Sequence, residues 1–163
     1  MKKTVSIGLV NPKSATNVAV ILRAAGCYGV SSVFYTGERF ARAKEFNQDT
    51  KGMRHKIPTI AVSDLLEMTP IGAVPIAIEL CEDAHPLPAF EHPDNAYYIF
   101  GPEDGSIPKH IVEGCTHKIY IPTFTSMNLA ATANVVLYDR LAKSDYPHSR
   151  DFIRSSRDTN NNL

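Results

Sequence analysis

Residues 5–35 read VSIGLVNPKSATNVAVILRAAGCYGVSSVFY, an apolar run, a helical pattern and a second apolar run in succession. Val5-Ser6-Ile7-Gly8-Leu9-Val10 is a short apolar run closed by Asn11-Pro12, the pattern of a buried strand followed by a turn. Val18, Ile21, Leu22, Ala25 and Tyr28 then recur at helical spacing, with Thr16 or Asn17 as the expected N-cap. Gly29 stops that helix. Ser32-Val33-Phe34-Tyr35 is a second strand, ended by Gly37. Strand, helix and strand in so short a span make a right-handed parallel crossover.

The pattern continues outward from there. Further strands are expected near Thr59-Val62, at Val74–Ile78, at Tyr97–Phe100 and at Lys118–Ile121. A helix is expected to open at Ser63, a short one to run over Lys109–Gly114, and a last one from about Asn128 to Lys143. The alternation gives an α/β domain with a mostly parallel sheet flanked by helices. Its expected extent is residues 1–145; residues 146–163 form a polar C-terminal tail, ending in Asn160-Asn161-Asn162, with partial disorder expected.

The 163 residues are 44% hydrophobic and 21% charged, an ordinary globular composition that suits one domain. Seventeen basic and 17 acidic residues cancel to a net charge of +0. That excludes nucleic-acid binding through bulk charge and leaves room for a local basic patch. No apolar run approaches the ~20 residues of a membrane span, and no signal-peptide pattern opens the chain, so no membrane partner is expected. Cys27, Cys81 and Cys115 are odd in number and widely spaced, which argues against a disulfide framework and for a cytoplasmic location.

Ligands of parallel sheets bind outside the carboxyl ends of the strands. Here those ends carry Asn11-Pro12, Ile78-Glu79, Gly101-Pro102-Glu103 and Pro122-Thr123. The first candidate is Asn17 with Arg23 on the following helix. An arginine among alanines, valines and leucines is costly to bury without an anion; equally, Arg23 can lie on the solvent face while Asn17 only caps the helix. The second candidate is Phe100-Gly101-Pro102-Glu103-Asp104-Gly105-Ser106-Ile107-Pro108, whose glycines permit close approach and whose carboxylates accept hydrogen bonds. The third is Ile121-Pro122-Thr123-Phe124-Thr125-Ser126-Met127-Asn128-Leu129, with Ser126 and Asn128 at a helix N-terminus. Each alone also reads as plain loop or cap. Cys115, His110 and His117 lack ligand spacing, so no metal is expected. No dinucleotide fingerprint and no nucleophile elbow occur. His85 and His92, in a proline-rich loop, are expected to be exposed.

Taken together and in order, the three segments are far more specific. An Asn and an Arg on the helix after the first strand, Phe-Gly-Pro-Glu-x-x-x-Ile-Pro after a central strand, and Ile-Pro before Ser-Met-Asn-Leu at the last helix resemble the SpoU (TrmH-like) branch of the SPOUT methyltransferases. The resemblance runs from about Val5 to Leu141. It implies a deep C-terminal trefoil knot, a homodimer with the last helix near its interface, and transfer of a methyl group from S-adenosylmethionine to a ribose 2′-hydroxyl of tRNA or rRNA, tRNA being favoured. A non-catalytic RNA-binding factor on the same fold is the alternative.

By position, the resemblance implies a cofactor pocket of Ile78, Glu79, Gly101, Ile121, Ser126 and Asn128. It implies a reaction site of Asn17, Arg23, Glu103, Ser126 and Asn128. A guanidinium holds its proton too tightly to act as a base, so Arg23 is expected to bind the neighbouring phosphate and stabilise the developing alkoxide, with Asn17 and Glu103 holding it. Thr123-Phe124-Thr125 stands where the family carries a longer loop. RNA contacts are expected from the basic stretch 39–56, with Arg39, Arg42, Lys51 and Arg54 foremost, and secondarily from Arg150, Arg154 and Arg157. A solvated loop is the plainer reading of that stretch.

Overall fold

The computed structural model describes residues 3–43, 56–158 and 160. In chain order the elements are β1 (Val5–Leu9), α1 (Ala15–Cys27), β2 (Ser32–Tyr35), α2 (Arg39–Ala43), β3 (Thr59–Ala61), β4 (Val74–Ile78), β5 (His85–Pro86), β6 (Ala96–Phe100), α3 (Lys109–Gly114), β7 (His117–Tyr120), α4 (Leu129–Ala142) and α5 (Arg150–Ser156). The strands form one sheet in the order β3-β2-β1-β6-β4-β7-β5. Every neighbouring pair is parallel.

Buried parallel strands read as unbroken apolar runs because both faces are covered. β1 and β6 are buried at every position. Successive side chains of β6 part to opposite faces. Tyr98 and Phe100 join the core under α1 and α4, with Val18, Ile21, Ala133 and Val136. Tyr97 and Ile99 join a second core with Leu65, Ile107, Ile111 and Cys115. Burial there pushes the Cys115 thiol up to about 11.

The register places the site. Leu9 pairs with Tyr35 and Phe100, and Ile78 pairs with Phe100 and Ile119. The carboxyl ends of β1, β4, β6 and β7 therefore lie level, and their following loops gather at one edge of the sheet.

Several local expectations are corrected. Ser14, not Thr16 or Asn17, caps α1 by accepting a hydrogen bond from the Asn17 N–H. After Ser63 the chain makes turns instead of a helix: Asp64 accepts from the N–H groups of Leu66 and Glu67, which closes a local turn in place of a helical ladder. β5 and α5 were not expected; α5 buries none of its residues, in keeping with the polar tail.

His92 is the largest surprise. Its side chain is only 4% exposed, and its Nε2 lies 2.8 Å from Asp139 Oδ2. Its Nδ1 lies 2.6 Å from the Tyr98 hydroxyl. Arg140 donates to Tyr98 and to the carbonyls of Pro93 and Asp94, and Lys143 donates to the carbonyls of Leu87 and Phe90. These bonds fasten α4 to the connection between β5 and β6.

Candidate active site at the strand ends

The loop after β6 grips the loop after β1. Glu103 Oε2 accepts from the Lys13 N–H at 2.8 Å; Glu103 Oε1 accepts from the Ser14 N–H at 2.9 Å and from Asn17 Nδ2 at 3.0 Å. A carboxylate at the first turn of α1 also meets the positive end of the helix dipole. Partial burial alone would push the Glu103 carboxyl up, but the hydrogen bonds from Asn17, Lys13 and Ser14 outweigh it and hold it below the usual carboxylate range.

Asn17 carries the connection onward. Its Oδ1 accepts from Asn128 Nδ2 at 3.1 Å. Asn128 in turn caps α4, its Oδ1 accepting from the N–H groups of Ala130 and Ala131. One hydrogen-bonded chain, Glu103–Asn17–Asn128, thus joins the loop after β6, the start of α1 and the start of α4. Asn17 has its amide oxygen and nitrogen both engaged, so its orientation is determined.

Beside this chain lies a cavity of about 470 Å³. That lies within the ~300–1,000 Å³ of small-molecule sites. Ile78, Glu79, Gly101, Ile121, Ser126 and Asn128 all line it, and so does Glu103. Leu80, Met127 and Thr132 line it as well and were not anticipated. The Glu79 carboxylate is fixed by the N–H groups of Leu80 and Ile107, at 3.0 and 2.8 Å. Gly101 is closely packed there: a Cβ would come within 3.2 Å of the Ile107 nitrogen. Thr132 lies one turn into α4, where its hydroxyl donates to the Asn128 carbonyl.

Arg23 does not join this arrangement in the protomer. It lies on the exposed side of α1 and forms no hydrogen bond or ion pair among the described residues. Asn17 and Glu103 hold each other, rather than Arg23 as expected. The basic stretch is also altered. Arg39 pairs with Asp104 and Arg42 with Glu38; Lys51 and Arg54 lie outside the described residues. In the tail, Arg154 pairs with Asp151.

The sequence model of the SpoU rRNA Methylase family matches residues 4–138. No curated protein matches the chain in sequence. Among solved structures, the A. aeolicus TrmH/SpoU tRNA modifying enzyme is similar with a TM-score of 0.76 at 23% identity, covering 86% of this chain and 75% of that one. An AdoMet-bound rRNA methyltransferase from Sinorhizobium meliloti is similar with a TM-score of 0.73 at 18% identity, covering 87% of this chain and 57% of that one. A structure addressing 2-OH methylation of C/U34 on tRNA is similar with a TM-score of 0.69 at 20% identity, covering 88% of this chain and 97% of that one. At these identities the likeness speaks to the fold, and the chain spans little more than half of several of the larger relatives. With its family model matched over most of its length, the chain belongs to the SpoU rRNA methylase family.

Proposed function

We propose that this chain transfers a methyl group from S-adenosylmethionine to a ribose 2′-hydroxyl of RNA, tRNA in preference to rRNA. The observation that carries the reading is the cavity at the level strand ends, bordered by the Glu103–Asn17–Asn128 chain, in a member of this family. The residues fit the methyl donor: the cavity has the volume of a nucleoside-sized site, loop backbone on several sides, and a rigidly held carboxylate, Glu79. When bound, that cofactor supplies an electrophilic sulfonium methyl. Everything else falls to the chain. Ile78, Gly101 and Ile121 offer backbone and apolar surface, while Ser126 and Asn128 stand at the mouth of α4.

A ribose hydroxyl is a weak nucleophile, so orientation matters most; good alignment lowers barriers by roughly 7–11 kcal/mol. Glu103 and Asn17 hold the loops at the spacing the sugar must enter. Arg23, exposed and without a partner among the described residues, is available to an RNA phosphate and to the developing alkoxide. Exposed apolar side chains on the same helices, Val20 on α1 and Val135, Tyr138 and Leu141 on α4, support a homodimer through this face. The insertion of β7 between β4 and β5, and the strapping of α4 by the 87–94 connection, support a knotted C-terminal half. The methyltransferase domain would span 1–145, with 146–163 as an appended polar tail. Free cysteines and an RNA substrate favour the cytoplasm.

The test is direct. Purified protein receives methyl-labelled S-adenosylmethionine with bulk tRNA or rRNA, and the RNA is digested to nucleosides. Label on ribose of tRNA supports the proposal. RNA binding without transfer would favour the non-catalytic alternative, and label on a base would refute the chemistry.

A further inference from the structure

Arg39, the first residue of α2, engages two loops at once. Its Nη1 donates to Asp104 Oδ2 at 2.8 Å and to Oδ1 at 3.0 Å, and its Nη2 donates to Oδ1 at 3.0 Å. Its Nε and Nη2 also donate to the carbonyl of Asn11, at 3.2 and 2.5 Å. Asn11 is the one non-glycine described residue with positive φ, at 40°. Its carbonyl is therefore aimed by an unusual backbone turn, and Arg39 is what receives it.

Asp104 follows Glu103 in the chain, and the two carboxylates reach different partners. Glu103 holds the N–H groups of Lys13 and Ser14; Asp104 holds Arg39, with Lys13 Nζ at 3.8 Å. A loop gripped by only one of these side chains can still pivot about the end of β6. A loop gripped by both cannot. An exposed ion pair contributes little stability by itself, so the worth of this fork lies in geometry. A bidentate guanidinium fixes a carboxylate in plane and distance, which a lysine does not.

The same contacts bear on RNA. Two adjacent carboxylates would repel a phosphate, and Arg39 already neutralises one of them. To serve as a phosphate anchor, Arg39 would have to release Asp104.

We propose that Arg39 is a positioning residue: with Asp104 it locks the loop 101–106 against the loop after β1 and so sets the place of Glu103, instead of contacting RNA phosphate. This rests on the methyltransferase reading for its activity readout, but not for its structural one.

The experiment compares Arg39→Gln, Arg39→Lys, Asp104→Asn and the Arg39→Gln/Asp104→Asn double variant in the full chain. Hydrogen exchange is followed at the Lys13 and Ser14 amides, with methyl transfer to bulk tRNA and S-adenosylmethionine affinity. The lock predicts faster exchange at both amides in every variant. It predicts a fall in kcat of about tenfold or more, since small misplacements have large kinetic effects, with KM for tRNA within about twofold. It also predicts a double variant no worse than either single one. A phosphate contact predicts instead a raised KM and a salt slope lowered by about one in Arg39→Gln, with Asp104→Asn unaffected; that result overturns the proposal. Unchanged exchange and unchanged kcat in Asp104→Asn, a mild surface change, overturn it too. If the native protein transfers no methyl to RNA, the enzymatic reading fails, and the exchange data alone decide the lock.

Discussion

Tyr97 and Tyr98 are adjacent on β6, both buried, yet the same substitution should move stability in opposite directions. The Tyr97 hydroxyl is buried without a hydrogen-bond partner among the described residues and presses toward Gly8, where a Cβ would lie 2.8 Å from it. Burial pushes its phenol well above the usual tyrosine range. The Tyr98 hydroxyl lies 2.6 Å from His92 Nδ1 and accepts from Arg140 at 3.3 Å. Burial pushes that phenol up to about 12, against the opposing pull of Arg140. An unsatisfied buried polar group costs about 1–3 kcal/mol. Tyr97→Phe removes one such group and leaves the ring in place, so it should stabilise by about 1 kcal/mol or more. Tyr98→Phe creates one at His92 and weakens the hold of Arg140, so it should destabilise by about 1–3 kcal/mol. In a domain of this size each kcal/mol moves Tm by about 2–4 °C. The two variants should therefore melt on opposite sides of the native protein, separated by at least about 4 °C, in thermal unfolding followed by circular dichroism at pH 7.5. If Tyr97→Phe is the more destabilising of the two, the assignment of partners on the two faces of β6 is wrong.

His92 should also make stability depend on pH. Desolvation, which outweighs the attraction of Asp139, lowers its pKa in the folded state. The unfolded chain then binds the extra proton first, so stability is full above about pH 6.5 and falls as pH drops toward the folded value; urea unfolding of His92→Gln should show a flatter profile in that window. Arg23→Ala should keep S-adenosylmethionine affinity within about twofold while methyl transfer falls at least about a hundredfold, comparable to loss of one transition-state donor; near-native turnover would remove Arg23 from the reaction. Gly37→Ala places a Cβ 2.1 Å from Asn11 Oδ1 at a φ of +75°, whereas Gly72→Ala at +76° meets open space. Melting should fall for both, since the backbone strain is about 1–2 kcal/mol, and distinctly further for Gly37→Ala.

The central strands β1, β2 and β6 were legible because they are buried, so each appears as an apolar run soon closed by Asn or Gly, whereas β5, two partly exposed residues, carries no such run. That a site would open at Ile78, Glu79 and Gly101 was legible from the strand ends; Ile121, Ser126 and Asn128, which line the same cavity, were named through the family resemblance. What escaped was whatever depends on distant partners. His92 sits among prolines and acidic residues, and nothing near it announces Asp139 on a helix much later in the chain. Arg39 looked like one cation of a basic stretch because its partner Asp104 comes from another loop. The missing helix after Ser63 has a local cause: an aspartate two residues before Leu66 serves a turn as well as it serves a helix cap.

Because β7 lies between β4 and β5, the slot it fills is bounded by two strands synthesised before it. During translation β4 must wait, one side paired with nothing, until the later segment emerges. An open strand edge of this kind invites pairing with another nascent chain. Pro75 offsets that hazard. Its carbonyl faces β7, accepting from the Thr116 N–H, so its missing N–H lies on the waiting side. Replacing Pro75 with valine would complete the edge and should cost soluble yield in rapidly expressing cells, even where the finished protein tolerates the change.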